Sequence, residues 1–143
     1  MAMRVLIENE AGSNRKNAFD EETLTLKSSR TLRASYPFPY GFVIGTRGGD
    51  GEAVDCYVLT GQPLKSGSVV VVEPVGLLEQ IEEGEIDHKI LAALPGTTPV
   101  LDQALRDRLA AFVRAVFSAG TRVELGLLLG ADEAEAFVAR SRT

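Results

Sequence analysis

Four consecutive valines, Val69 to Val72, within the run Ser68 to Glu73, constrain this chain more than any other feature. β-Branched side chains lose rotamer freedom on a helix and pack well on a pleated surface, so the run predicts a strand. Pro74-Val75-Gly76-Leu77-Leu78 continues it. Shorter strand signals surround it. Arg4 to Glu8 is one, and Thr23-Leu24-Thr25-Leu26-Lys27 alternates polar and apolar with the period of a half-buried strand. Phe42 to Thr46, Ala53 to Leu59 and Lys89 to Leu94 read as three more. Between them, Asn9 to Asp20 reads as a loop, Gly48-Gly49-Asp50-Gly51 as a turn and Glu82 to Asp87 as an acidic loop. Tyr36-Pro37-Phe38-Pro39-Tyr40-Gly41 reads as a rigid aromatic loop, because neither proline can donate to a sheet ladder.

The last third changes period. Thr98-Pro99 offers a helix cap followed by proline at the first helical position. Leu101, Leu105, Leu109, Phe112, Val113 and Val116 then recur at helical spacing, and Gly120 supplies a stop. Asp132 to Arg140 predicts a second, short helix with Asp132 as its cap. Many short strands followed by one or two helices predict a mainly β (α+β) fold, a small barrel with helices packed outside. The 143 residues suit one domain, 1–143.

Composition narrows the function classes. A net charge of −5 argues against nucleic acid as the main ligand, since that interaction rests on clustered Lys and Arg. The purest apolar run, Val69 to Val72, is far short of the roughly 20 residues a membrane helix needs. The first residues, Met1-Ala2-Met3-Arg4-Val5, lack a signal pattern, so a cytoplasmic location is expected. The single cysteine, Cys56, cannot form an internal disulfide and reads as a packed core thiol. One histidine, His88, excludes a His-rich metal site, and its place between Asp87 and Lys89 predicts an exposed ring. Any metal would be held mainly by carboxylates, which favours Mg²⁺, Mn²⁺ or Ca²⁺.

Carboxylates concentrate in two places. Asp50-Gly51-Glu52-Ala53-Val54-Asp55 puts three within six residues, at a glycine turn entering a strand. Glu82-Glu83-Gly84-Glu85-Ile86-Asp87-His88-Lys89 supplies the second. Acidic turns are often only solvated surface. Asp55 differs, because an acid inside Ala53-Val54-Asp55-Cys56-Tyr57-Val58 is partly buried, where an unpaired charge is costly. A metal or a lysine would resolve that cost.

These segments resemble a known family. Tyr36-Pro37-x-x-Tyr40-Gly41-Phe42, Asp50-Gly51-Glu52-Ala53-Val54-Asp55, Pro63-Leu64-x-x-Gly67-x-Val69, Pro74-Val75-Gly76-Leu77 and Gly84-Glu85-x-Asp87-x-Lys89 follow one another as in the soluble family I inorganic pyrophosphatases, over about Ile7 to Leu94. The resemblance implies an OB-like five-stranded barrel with flanking helices. It implies Mg²⁺-dependent hydrolysis of pyrophosphate to two phosphates, with Mn²⁺ as a second metal and a homo-oligomeric assembly. By the same resemblance Asp50, Asp55 and Asp87 match the core metal-binding aspartates, and Glu82 matches an Asp serving additional metals. Glu52 takes the place of the Asp that orients and deprotonates the attacking water, in a motif that the family writes Asp-Gly-Asp-Pro-x-Asp. Glu8 matches a strand Glu, and Lys16, Tyr40 and Lys89 match phosphate-side residues. Lys16, beside Arg15 in a polar stretch, also fits a solvated charge.

Other positions depart from the pattern. The phosphate-binding Arg falls near Ser28, with Arg30 as its substitute, and a second active-site Glu falls on Ala18. A helical Tyr-Lys pair falls on Val116 and Phe117, and the Arg before Pro-x-Gly is Glu73. The metal half is kept while the cationic clamp is thinned. Hydrolysis of another phosphoanhydride, or a metal-binding module without turnover, are the alternatives that this erosion leaves.

Overall fold

The computed structural model describes residues 1–143. Five strands close on themselves. β1 (Met3–Asn9) pairs antiparallel with β4 (Tyr40–Val43), which pairs antiparallel with β5 (Asp55–Val58). β5 lies parallel to β8 (Lys89–Ala93), β8 is antiparallel to β6 (Val69–Glu82), and β6 returns to β1. β6 can serve two neighbours because it is 14 residues long: Val69 to Val72 face β1, and Glu73 to Leu78 face β8. A register shift between Pro74 and Gly76 bends it at the residue that has no N–H to donate. The expected five-stranded barrel is therefore present.

Strand alternation sorts the side chains. Val5, Ile7, Val43, Cys56, Val58, Ile90 and Ala92 point inward and are fully buried. Cys56 is the core thiol that was expected, its pKa pushed up by burial. The helix α2 (Ala131–Ser141) adds Ala134 and Val138 to that interior. The helix α1 (Gln103–Val116) lays Leu105 and Leu109 against Tyr57, Leu78 and Leu91 on the outer face. Gly41 is required where β4 crosses β1, because a Cβ there would collide with the Leu6 carbonyl.

Several expected elements shift. Asn9 to Asp20 is not all loop: it contains β2 (Arg15–Phe19), which pairs with β3 (Leu26–Thr31) in a separate two-stranded hairpin. The strand expected at Thr23–Lys27 begins only at Leu26. Asp20 Oδ1 accepts the N–H groups of Glu22 and Thr23, at 2.9 and 2.8 Å, and that local turn claims the alternating residues. Tyr40 and Gly41 belong to β4 rather than to the proline loop, and Thr46 forms only an isolated bridge with Arg142. Glu82 ends β6, and β7 (Glu85–Ile86) turns back on it through Glu83 and Gly84, at φ 51° and 80°. Both positive angles match the twist of a tight hairpin, so the acidic loop is an ordered turn.

The first helix is capped by Asp102, whose Oδ1 accepts the Leu105 N–H at 3.0 Å, and not by Thr98; Leu101 precedes the helix. The second is capped by Gly130, with Asp132 in its first turn, where a negative charge suits the helix dipole. Between the helices β9 (Val123–Leu129) pairs with β6. Its leucines occupy both faces, so no alternation marks it. His88 is half-buried rather than exposed, because its Nδ1 accepts the Gln80 N–H at 3.0 Å and its ring lies 5.5 Å from Phe137. No helix is long and apolar enough to cross a membrane.

Candidate active site

The inward residues of the wall strands are apolar, and the outward ones carry the chemistry. Glu8 of β1, Tyr40 of β4, Asp55 and Tyr57 of β5 and Lys89 of β8 all face an open cavity of about 1230 Å³. The β2–β3 hairpin, the Asp50–Ala53 turn and the C-terminal end of α1 form its rim.

Lys89 organises the wall. Its Nζ donates to Asp55 Oδ2 at 2.6 Å, to Asp87 Oδ2 at 3.0 Å and to Tyr40 Oη at 3.1 Å. The Lys89 side chain is only 7% exposed. Burial works against the ammonium charge, but Asp55 and Asp87 outweigh it and hold the lysine above its usual range. Burial pushes the Asp87 carboxyl up to about 7; Lys89 opposes that rise and Asp55 adds to it. The lysine thus resolves the charge predicted at Asp55. Tyr40 is fixed by Tyr36 stacked at 5.2 Å and by Tyr57 edge-on at 4.9 Å. Burial, and then Asp55, raise its phenol well above the ordinary value.

Glu8 accepts the Phe19 N–H through Oε2 at 3.0 Å, tying the hairpin to β1. Burial raises it to about 7 against that donor, and Asp55 adds to the rise. In the acidic turn Asp50 Oδ1 accepts the Glu52 N–H at 3.0 Å. Glu52 is exposed to the cavity, and its pKa is raised by partial burial, then by Asp50 and Asp55.

The rim carries cations and apolar surface. Residues paired across β2 and β3 share a face, so Lys16 stands beside Arg30, and Ala18 beside Ser28. Arg30 is therefore the residue paired with Lys16, while Ser28 is paired with Ala18. Both cations line the cavity and neither forms an ion pair. Val116 and Phe117 line it from the end of α1 and are partly exposed.

Asp50, Asp55, Asp87 and Glu82 all reach this one cavity, and their donors are oxygens, which suit a hard divalent cation. No three acidic, Cys or His side chains converge into one cage. Lys89 lies between Asp55 and Asp87, and Asp50 is engaged with its own turn. Two cavity residues escape sequence reasoning. Gln80 is 1% exposed with an unpartnered Oε1, and only its place two residues before Glu82 on β6 hints at it. Glu21, at the hairpin tip, accepts the Ala53 N–H through Oε2 at 2.9 Å, and nothing in the sequence marks it.

The family model described as inorganic pyrophosphatase matches residues 5–113. An inorganic pyrophosphatase from Synechocystis sp. is 39% identical over 99 residues, 68% of this chain and 58% of that protein. One from Sulfolobus acidocaldarius is 42% identical over 92 residues, 63% of this chain and 53% of that protein. The chain spans little more than half the length of these curated relatives. A solved inorganic pyrophosphatase from Helicobacter pylori superposes with a TM-score of 0.86 at 27% identity, covering 98% of this chain and 91% of that one.

Proposed function

Because this chain belongs to the inorganic pyrophosphatase family, we propose that it hydrolyses pyrophosphate to two phosphates with a divalent metal, Mg²⁺ or, second, Mn²⁺. The observation that carries the reading is the wall: two carboxylates, Asp55 and Asp87, held on one buried lysine beside Tyr40, in a cavity whose rim presents Lys16 and Arg30. Asp50, Asp55 and Asp87 would hold the metal, with Glu82 serving a further one; when bound, it supplies positive charge and lowers the pKa of water.

The chain's own groups divide the remaining work. Glu52 takes the proton of the attacking water, and partial burial, with Asp50 and Asp55 nearby, raises its affinity for that proton. It is one methylene longer than the family's Asp, and a displacement of about 1 Å can cost on the order of 10²-fold in rate. Lys89 has three protons, and all three are committed to Asp55, Asp87 and Tyr40. It therefore acts by holding these groups and by its charge. Tyr40 accepts from Lys89 through its oxygen, which leaves its own proton for a phosphate oxygen. Lys16 and Arg30 neutralise the leaving phosphate. The same reading takes 1–143 as one domain that works in the cytoplasm as a homo-oligomer.

A second reading rests on Val116 and Phe117. Their apolar surface on the same cavity as the cations favours an organic group on the diphosphate, such as a nucleoside. Phosphate release from pyrophosphate and from nucleoside diphosphates, titrated with Mg²⁺ and Mn²⁺ against an EDTA control, tests both. Metal-dependent release from pyrophosphate is expected. Release only from the organic substrates selects the second reading, and metal binding without any release selects a module that has lost turnover.

A further inference from the structure

The β2–β3 hairpin carries Lys16 and Arg30, and Phe19 and Leu24 pack it against Leu6, Phe42 and Ala53 of the barrel. All six residues of β3 are exposed, and two strands alone are marginally stable in water. Its base is anchored to β1: the Asn17 N–H donates to Asn9 Oδ1 at 2.7 Å, Asn17 Nδ2 to the Glu8 carbonyl at 3.0 Å, and the Phe19 N–H to Glu8. Beyond Phe19, the tip's hydrogen bond to the barrel is that of Glu21 Oε2 with the Ala53 N–H.

That N–H belongs to the peptide joining Glu52 to Ala53, two residues before Asp55. A carboxylate acceptor makes a charge-assisted bond, stronger than a neutral one. The bond therefore ties the cationic hairpin to the peptide from which Glu52 projects. We propose that Glu21 is a positioning residue, a latch that sets the phosphate-facing cations Lys16 and Arg30 against the proton acceptor Glu52. Its kinetic consequence rests on the pyrophosphatase reading; its structural consequence does not.

The test compares Glu21→Ala with Glu21→Gln in the full chain. Gln keeps an oxygen acceptor and removes the charge. Hydrogen exchange at the Ala53 amide is read without substrate, and kcat and KM for pyrophosphate are read with Mg²⁺. In Glu21→Ala the Ala53 amide is expected to exchange roughly tenfold faster or more. KM rises and kcat falls together, because clamp and acceptor lose their registration. Glu21→Gln restores protection and both constants to near the parent values. Unchanged exchange in Glu21→Ala overturns the latch. So does a Glu21→Gln variant that keeps the amide protected yet loses as much kcat as Glu21→Ala, since the charge would then be what matters. A parent protein without pyrophosphate turnover defeats the pyrophosphatase reading alone, and the exchange comparison still decides the latch.

Discussion

On the barrel wall, Lys89 is almost wholly buried, and each of its protons goes to an oxygen of Asp55, Asp87 or Tyr40. On the rim, Lys16 and Arg30 stand side by side on an exposed hairpin and pair with no carboxylate. The same charge type is thus used in two ways. The wall lysine is fixed before any ligand arrives and fixes its neighbours. The rim cations carry no such partners, and their hairpin is held at its base by Asn17 and Phe19 and at its tip by Glu21. Loss of a wall group therefore disturbs the fold and the chemistry together, while loss of a rim group disturbs binding.

The largest effect that would break this contrast lies at Lys89. Lys89→Met leaves two carboxylates facing each other in a buried place, and should destabilise the protein by about 3–5 kcal/mol in urea unfolding. Added Mg²⁺ should return part of that loss through binding to the folded state. A loss below about 1 kcal/mol, typical of exposed pairs, would put Lys89 in the same class as the rim cations.

Glu8 lies where wall and hairpin meet, and it gives a pH test. Its pKa is raised from 4.5 to about 7 by burial. Below 4.5 both states carry the proton and the contribution is intact. Between 4.5 and 7 the folded state keeps a proton that the unfolded state has lost, so stability falls as pH rises. The full loss, reached above 7, is about 3 kcal/mol. Glu8→Gln keeps an acceptor for Phe19 and should remove this share of the decline. Unfolding midpoints from pH 4 to 8 measure it, and an equal slope in both proteins would contradict the burial of Glu8.

Arg30 sharpens the rim. Arg30→Ala should raise KM for pyrophosphate by about 10- to 100-fold, the worth of one charge-assisted bond, with little change in the unfolding curve. Ser28→Ala, beside Ala18 on the same hairpin face, should change neither. Equal effects at the two positions would mean that the clamp was wrongly placed.

The wall was more legible in the sequence than the rim, for a physical reason. A wall strand alternates between a packed interior and the cavity, so a charge within an apolar run, such as Asp55, announces itself. Asp87 and Lys89 lie two apart at the entrance to β8 and share its outward face. A small barrel with helices outside followed from the same alternation, together with Val69 to Val72, and its five-stranded form from the resemblance to the pyrophosphatases. The hairpin's β3 is wholly exposed and β2 only half-buried beyond Lys16, so Arg15-Lys16-Asn17 shows no period and reads as loop. The Glu21 contact spans 32 residues and depends on how the hairpin lies over the acidic turn, which no local pattern encodes. Gln80 was hidden because it follows Glu79 where β6 turns polar towards Glu82, and one more polar residue there carries no signal.

A metal held by the Asp55 carboxylate on the barrel wall makes hydrolysis depend on that one charge, and this dependence can be measured. The direct measurement is the initial rate of phosphate release from pyrophosphate at saturating Mg²⁺, for the parent chain and for Asp55→Asn, with unfolding curves recorded for both. Asn keeps an oxygen for Lys89 but not the charge. Release that EDTA stops is expected, with a fall of at least about 10²-fold in Asp55→Asn while the protein stays folded. Metal-dependent release at the same rate in both proteins would contradict that dependence.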